Sequence, residues 1–366
     1  LFLLAAMTYV NAMSERNLFE ALRVRLLQRG FGYRTLFWVT GALSFMLSPV
    51  IDNLTTALVM CAVVLAVGRD SPRFVSLACI NIVVGANAGG AFSPFGDITT
   101  LMVWQRGLVE FWTFFSLFLP SVVNWLVPAL CMHWAVPQGE PAPAQDQVQL
   151  KRGAWGIVAL FGITVAMAVS FHSFLHLPPF MGMIAGLALL KLYGWRLAAS
   201  ARQEAERADF ERQGQPGDID AFDSYEQVAR AEWDTLLFFF GVIMCVGALG
   251  YCGYLTLLSQ NLYGDLGATN ANVLIGLMSA ILDNIPIMVA VLQMNPDMST
   301  GQWLLVTLTA GVGGSLLSVG SAAGVALMGQ ARGQYTFFGH LKWTWAIALG
   351  YAASIGTHFL VNARHF

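Results

Sequence analysis

The chain has 366 residues, 57% of them hydrophobic and only 11% charged, with mean hydropathy +0.62; ordinary soluble domains carry about 25% charged residues. That much apolar surface, in runs of helix-spanning length, rules out a water-soluble core and predicts an all-α polytopic membrane protein, multi-pass in the cell inner (plasma) membrane. A formal net charge of −2 with no basic block leaves nothing to hold nucleic acid, and five Cys in apolar runs without CxxC spacing read as packing residues, neither disulfides nor metal ligands.

The chain opens on Leu1-Phe2-Leu3-Leu4, without an initiating Met and already inside an apolar segment, so residues 1–13 read as the end of a spanning helix in a chain lacking its true N-terminus. Over 14–34, Arg16, Arg23, Arg25, Arg29 and Arg34 alternate with Leu18, Phe19, Leu22, Leu26 and Leu27, the pattern of an amphipathic helix on the cytoplasmic membrane surface. The apolar run 36–67 is too short for two crossings of about 20 residues each. It is interrupted at Ser48-Pro49 and Asp52-Asn53 and flanked by Arg34, Arg69 and Arg73. A re-entrant hairpin with Asp52-Asn53 at its tip and Ser48-Pro49 beside it satisfies both length and charge. A carboxylate at membrane depth costs about 3 kcal/mol at a helix centre, so Asp52 marks a functional site.

The stretch 74–104 can cross, but the glycines at 85, 89, 90 and 96 and Pro94 predict a helix broken at mid-membrane. A span over 111–136, a polar loop over 137–152 and paired helices over 153–175 and 180–195 follow. The hydrophilic stretch 196–232 reads as a solvated cytoplasmic linker. A helix over 235–254, a hairpin over 271–295 holding Asp283-Asn284-Ile285-Pro286, a broken helix over 302–330 and a last span over 337–360 complete the chain.

The order repeats. Residues 1–13 line up with 237–249, Asp52-Asn53 with Asp283-Asn284, Gly89-Gly90 with Gly313-Gly314, and Gly96-Asp97 with Gly320-Ser321. Residues 1–136 are one repeat, 137–234 the connecting helices and linker, and 235–366 the other. With both hairpins re-entrant, all but Arg106 and Arg364 of the 19 Lys and Arg fall on the cytoplasmic side; with both crossing fully, the split is nearly even. The repeats are therefore expected to have inverted topology, one hairpin entering from the cytoplasm and the other from outside. Such a plan with broken helices belongs to secondary transporters, which hold their cargo at the midplane.

The segments SPVIDNLTTALVM (48–60), GANAGGAFSPFGDITTLMVW (85–104), EWDTLLFFFGVIMCVGALG (232–250) and ILDNIPIMVAV (281–291) resemble NhaD-type sodium/proton antiporters of the ion transporter superfamily, over essentially the whole chain. The resemblance implies a homodimer with a scaffold and a moving transport region. It also implies exchange of Na⁺ or Li⁺ for H⁺, these ions being cargo and no cofactor being needed. The chemistry agrees, since a hard cation takes oxygen ligands. Candidates are Asp52, Asn53, Thr55 and Thr56 on one tip and Asn87, Asp97, Thr99 and Thr100 at the facing break. The other repeat offers Ser279, Asp283, Asn284, Ser318 and Ser321 in support. Desolvation disfavours the charged form of a carboxyl, so proton and cation compete for it. Asp52 and Asp97 are expected to form the exchanging Na⁺ site, with Asp283 supporting.

Blander roles compete: Asp52 and Asp283 as helix caps, Thr55 and Ser279 as helix-to-helix hydrogen bonds, the paired glycines as packing. His172 and His176 share a helix face without a third ligand and read as interfacial, while His133, His340, His358 and His365 fall near span ends. Glu232 and Asp234 suit a helix start. A carrier of a small oxyanion or carboxylate is the alternative function, and the acidic tips with no buried Arg or Lys speak against it. An intramembrane aspartyl protease is a distant one, suggested only by Phe95-Gly96-Asp97 and Pro128-Ala129-Leu130.

Overall fold

A computed structural model describes residues 1–28, 30–68, 71–140, 150–175, 177–212, 228–229, 231 and 233–366. The expectations for Arg29, Arg69, His176, Glu232 and the stretch 213–227 lie outside the described residues, as do those for the side chains of Arg23, Leu26 and Leu27. Among the described residues every regular element is a helix. Six helices among the described residues are long and apolar enough to cross a membrane, or seven if Leu236–Tyr251 and Tyr254–Met278, bent by 81° at their junction, count as one span. The chain is a polytopic membrane protein.

It divides into two compact units, residues 1–24 with 146–238 and residues 25–145 with 239–366. In the first, α1 (Phe2–Glu15), α8 (Ala154–Leu175) and α9 (Pro179–Arg212) pack together. Tyr9 fastens them, its hydroxyl donating to the Gly186 carbonyl at 2.7 Å and lying 2.8 Å from the Thr164 hydroxyl. Two expectations change here. The hydrophilic stretch begins as helix, because Ala, Glu and Arg continue α9 to Arg212 before the chain leaves it. Arg16, expected on a surface helix, is 4% exposed at the C-terminal end of α1 and lies 3.6 Å from the Glu15 carboxylate. The surface helix itself, α2 (Leu18–Gln28), starts later than the arginine pattern suggests.

The second unit holds both tips and both breaks. Helix α3 (Tyr33–Ile51) ends at Asp52, whose φ of 85° and ψ of 156° turn the chain into α4 (Asn53–Val67). Pro72 at the first turn starts α5 (Pro72–Gly90), its missing N–H falling where no helical partner exists anyway. After the break, α6 (Ile98–Gln105) is capped by Asp97. A 3₁₀ turn (Phe111–Leu117) leads into α7 (Phe118–His133).

The same order returns later in the unit. After α10 (Trp233–Tyr251) and α11 (Tyr254–Ser259) come α12 (Leu266–Met278), the Asp283 turn and α13 (Asn284–Met294). Then follow α14 (Thr300–Gly313), a break, and α15 (Ala322–Gln330) capped by Ser321. The short α16 (Phe337–Leu341) and the long α17 (Thr344–Val361) end the chain. The caps Asp97 (φ −144°, ψ 147°) and Ser321 (φ −142°, ψ 148°) share one conformation, as their sequence alignment requires.

Packing follows the same correspondence: α3 lies on α5, α12 on α14 and α7 on α17. The short helices cross over, α4 against α15 and α13 against α6, so each tip is delivered to the other half's break. Glycine permits the close approaches. A Cβ on Gly89 would run into the Phe45 backbone and one on Gly313 into the Gly276 backbone, while one on Gly90 would lie 2.7 Å from the Gly96 carbonyl and one on Gly314 2.7 Å from that of Gly320. The cysteines divide: Cys61 and Cys79 are buried with sulfurs 3.9 Å apart, but Cys245 and Cys252 are exposed on this chain rather than packed within it.

Candidate ion-binding site

The site grows from the two tips and two breaks that the packing brings together. Asp97 opens α6, and its Oδ1 accepts the Thr99 amide at 3.1 Å, satisfying one of the orphan N–H groups of that helix end. The Thr99 hydroxyl lies beside the same carboxyl. Oδ2 faces the other way and accepts amide N–H groups from both tips, Asn284 at 2.9 Å and Asn53 at 3.3 Å. Asp97 is 4% exposed. Asn53 also donates to the Asn87 Oδ1 at 3.2 Å, and Asn87 donates onward to the Ser315 hydroxyl at 2.8 Å.

The second carboxyl near Asp97 is Asp283, which interacts with it electrostatically. Asp283 is the N-cap residue of α13 but makes no capping hydrogen bond through its side chain. Its Oδ1 is buried with no hydrogen-bond partner among the described residues, as is the Thr56 hydroxyl. A buried polar atom left so costs about 1–3 kcal/mol, which a cation or water at that spot recovers. Asp52 serves the backbone: its Oδ1 accepts the Thr55 amide at 2.9 Å, capping α4.

The other candidates hold the frame. The Ser48 hydroxyl donates to the Ala86 carbonyl at 2.6 Å, and Ser93 donates to the Pro49 carbonyl at 2.9 Å, pinning the turn before the first tip. Thr100 donates to the carbonyls of Asp97 and Ser93 and closes the first break. Ser279 donates to the Ala310 carbonyl at 2.8 Å, Ser318 lies 3.3 Å from the Met328 sulfur, and the Ser321 hydroxyl accepts the Gly324 amide. Three residues that sequence reasoning left out of the site connect to it: Ser315, through Asn87, then His340 and Tyr335 behind it. Ser315 was discoverable from its place in the glycine break. Nothing local marked His340, which falls near a span end as expected and whose imidazole is fully buried.

Comparison with known proteins fits this geometry. The family described as citrate transporter matches residues 1–207 and 217–311. The Na(+)/H(+) antiporter NhaD of Alkalimonas amylolytica is 57% identical over 374 aligned positions, which cover 100% of this chain and 77% of that one. That of Vibrio parahaemolyticus is 60% identical over 360 positions, covering 96% and 87%. The chain belongs to the NhaD-type sodium/proton antiporter family. A more distant relative, sodium/proton antiporter 1 of Arabidopsis thaliana, is 32% identical across 100% of this chain and 62% of its own. Membership makes the chain a transporter and not an enzyme, so the protease resemblance of Phe95-Gly96-Asp97 falls away: that triplet is the broken-helix turn and cap of an antiporter-family fold.

Proposed function

We propose that this chain exchanges Na⁺ or Li⁺ for H⁺ by alternating access, with Asp97 and Asp283 as the carboxyls that proton and cation share. The observation that carries this reading is the convergence on one buried Asp97 oxygen of amides from both tips. Those amides stand where a cation would. Turning either by half a revolution presents its oxygen instead, so the same residues suit the carboxylate without a cation and the shell around one. The Asp283 Oδ1 and the Thr56 hydroxyl supply further oxygens of the hard type Na⁺ prefers.

Coupling follows from competition. When Na⁺ binds, a carboxyl releases its proton; when Na⁺ leaves, the proton returns, and neither loaded form carries an uncompensated charge across the low-dielectric barrier. This ranks the acids differently from the sequence: Asp283 shares the site with Asp97, and Asp52 shapes the tip that carries Asn53. The two halves are read as inverted repeats, 36–67 entering as a hairpin from the cytoplasm and 271–295 from outside. Their crossed packing supports that reading, because a pseudo-two-fold axis in the membrane plane exchanges α4 with α13 and α6 with α15. A homodimer in the inner membrane is part of the same proposal.

The family description favours a second cargo, citrate. Two carboxyls at the site repel a polyanion, and the buried Arg16 is bound to Glu15 in the other compact unit. Everted vesicles bearing the chain, energised and then given Na⁺, Li⁺, K⁺ or citrate, decide the matter. Na⁺ and Li⁺ should collapse the proton gradient and Asp97→Asn should abolish the response; a response to citrate alone refutes the exchange.

A further inference from the structure

We infer that His340 is a positioning residue for the cation, acting through Ser315 and Asn87 to set the preference between Na⁺ and Li⁺. The inference rests on the Asp97 site proposed above and adds a residue remote from it in sequence. Ser315 lies in the turn between α14 and α15, where the end of α14 leaves carbonyls without helical partners. His340 Nε2 lies 2.8 Å from the Ser315 carbonyl. A carbonyl only accepts, so Nε2 carries the proton. The lone pair on Nδ1 then accepts the Tyr335 hydroxyl, 2.8 Å away. The neutral imidazole is thereby satisfied at both nitrogens. His340 and Ser315 are 0% exposed and Tyr335 is 1% exposed, so no solvent competes.

The clamp reaches the ion site by one unbroken path. The Asp97 carboxylate accepts the Asn53 amide N–H, which turns the Asn87 oxygen toward Asn53 and the Asn87 nitrogen toward the Ser315 hydroxyl. The path therefore runs from the Ser315 hydroxyl through the Asn87 amide and the Asn53 amide to the Asp97 carboxylate. Thr344 holds the next carbonyl, that of Leu316, at 2.8 Å, so α16 and α17 grip the break at consecutive residues. A cation ligand held at both ends tolerates one ionic radius better than another; a ligand freed at one end follows the ion and discriminates less. His340 therefore bears on selectivity without touching the ion.

The test uses the full chain reconstituted in proteoliposomes, comparing wild type with His340→Ala, His340→Gln, Tyr335→Phe and Asp97→Asn at equal amounts of folded protein. The half-saturating Na⁺ and Li⁺ concentrations and the maximal rate are read for each. His340→Ala is expected to raise half-saturating Na⁺ about tenfold, the loss expected from one buried hydrogen bond, and to bring the Na⁺ and Li⁺ constants closer together, with maximal rate per folded protein little changed. His340→Gln, whose amide can donate to Ser315 and accept from Tyr335, restores both constants. Tyr335→Phe shifts them in the same direction by less, and serves as the reading if His340→Ala does not fold. An unchanged Na⁺/Li⁺ ratio in His340→Ala or, failing that, in Tyr335→Phe overturns the inference, as does His340→Gln behaving like His340→Ala. Asp97→Asn separates the two claims: exchange that survives it sinks the site itself, whereas exchange lost there with normal His340 variants sinks only the positioning role.

Discussion

Asp52 combines two opposing contributions at one residue. Its side chain caps α4, worth about 1 kcal/mol, while its backbone sits in a region normally reserved for glycine, at a cost of about 1–3 kcal/mol. Removing the cap alone and removing both must then differ in sign. Asp52→Ala should melt below wild type in detergent and Asp52→Gly at or above it; coincident melting of the two would show that the turn is not strained. At Asn284 the contribution is to binding. Losing the amide oxygen that Asn284 would turn from its place beside Asp97 toward the cation should raise half-saturating Na⁺ about tenfold in Asn284→Ala, read from the dequenching of a pH dye in vesicles. The sign of the pH effect follows from shared carboxyls: raising the pH removes the competing proton, so half-saturating Na⁺ should fall as pH rises and level off once the acids are ionised. A flat dependence would separate the proton site from the cation site.

Helices meet so closely in the second unit because glycines stand at the crossings. The repeated Gly-Gly pairs could be read from the sequence, but which neighbour each one admits could not, since that depends on how α3 crosses α5 and α12 crosses α14. Gly89→Ala and Gly313→Ala push a methyl into the Phe45 and Gly276 backbones, and overpacking of this kind costs about 1–3 kcal/mol. Gly162→Ala on α8 meets nothing within 4 Å and should be neutral or mildly stabilising, since Ala is the better helix former. Melting temperatures of the three purified variants test the contrast, and equal losses in all would place the cost elsewhere. The crossed pair α13–α6 brings Asn284 to the Asp97 of the other half, while Asn53 meets Asn87 and Asp97 within its own half, so the candidate site draws on both halves.

For the whole molecule, the proposed inverted arrangement makes a prediction about sidedness. In a cysteine-free background, Arg106→Cys and Asp297→Cys should react with an impermeant maleimide added outside intact cells. Arg73→Cys and Arg332→Cys should react only in everted vesicles; all four positions are exposed on the chain. Labelling of Arg73→Cys and Asp297→Cys from the same side would remove the inversion and the hairpins with it. The distribution of Lys and Arg is what predicts this topology, because moving a charge through a bilayer is costly wherever it lies in the fold.

Much of this protein is determined by its sequence alone. Composition and run length make it a helical membrane protein, since lipid leaves unpaired backbone groups no alternative. Buried acids beside glycine breaks pointed to the site, and Asp97, Asn53, Asn87 and Asn284 were all named from their surroundings. Only the tertiary structure separates the acids by their surroundings, and the proposed division of work follows from that. Asp52 and Asp283 look alike in sequence, yet one carboxyl turns to its own helix and the other shares the space around Asp97. The same holds for Arg16, expected on a surface helix, and for His340, expected only to fall near a span end; both are buried. Burial of a polar side chain is settled by partners distant in the chain, and no local pattern encodes where those partners will be.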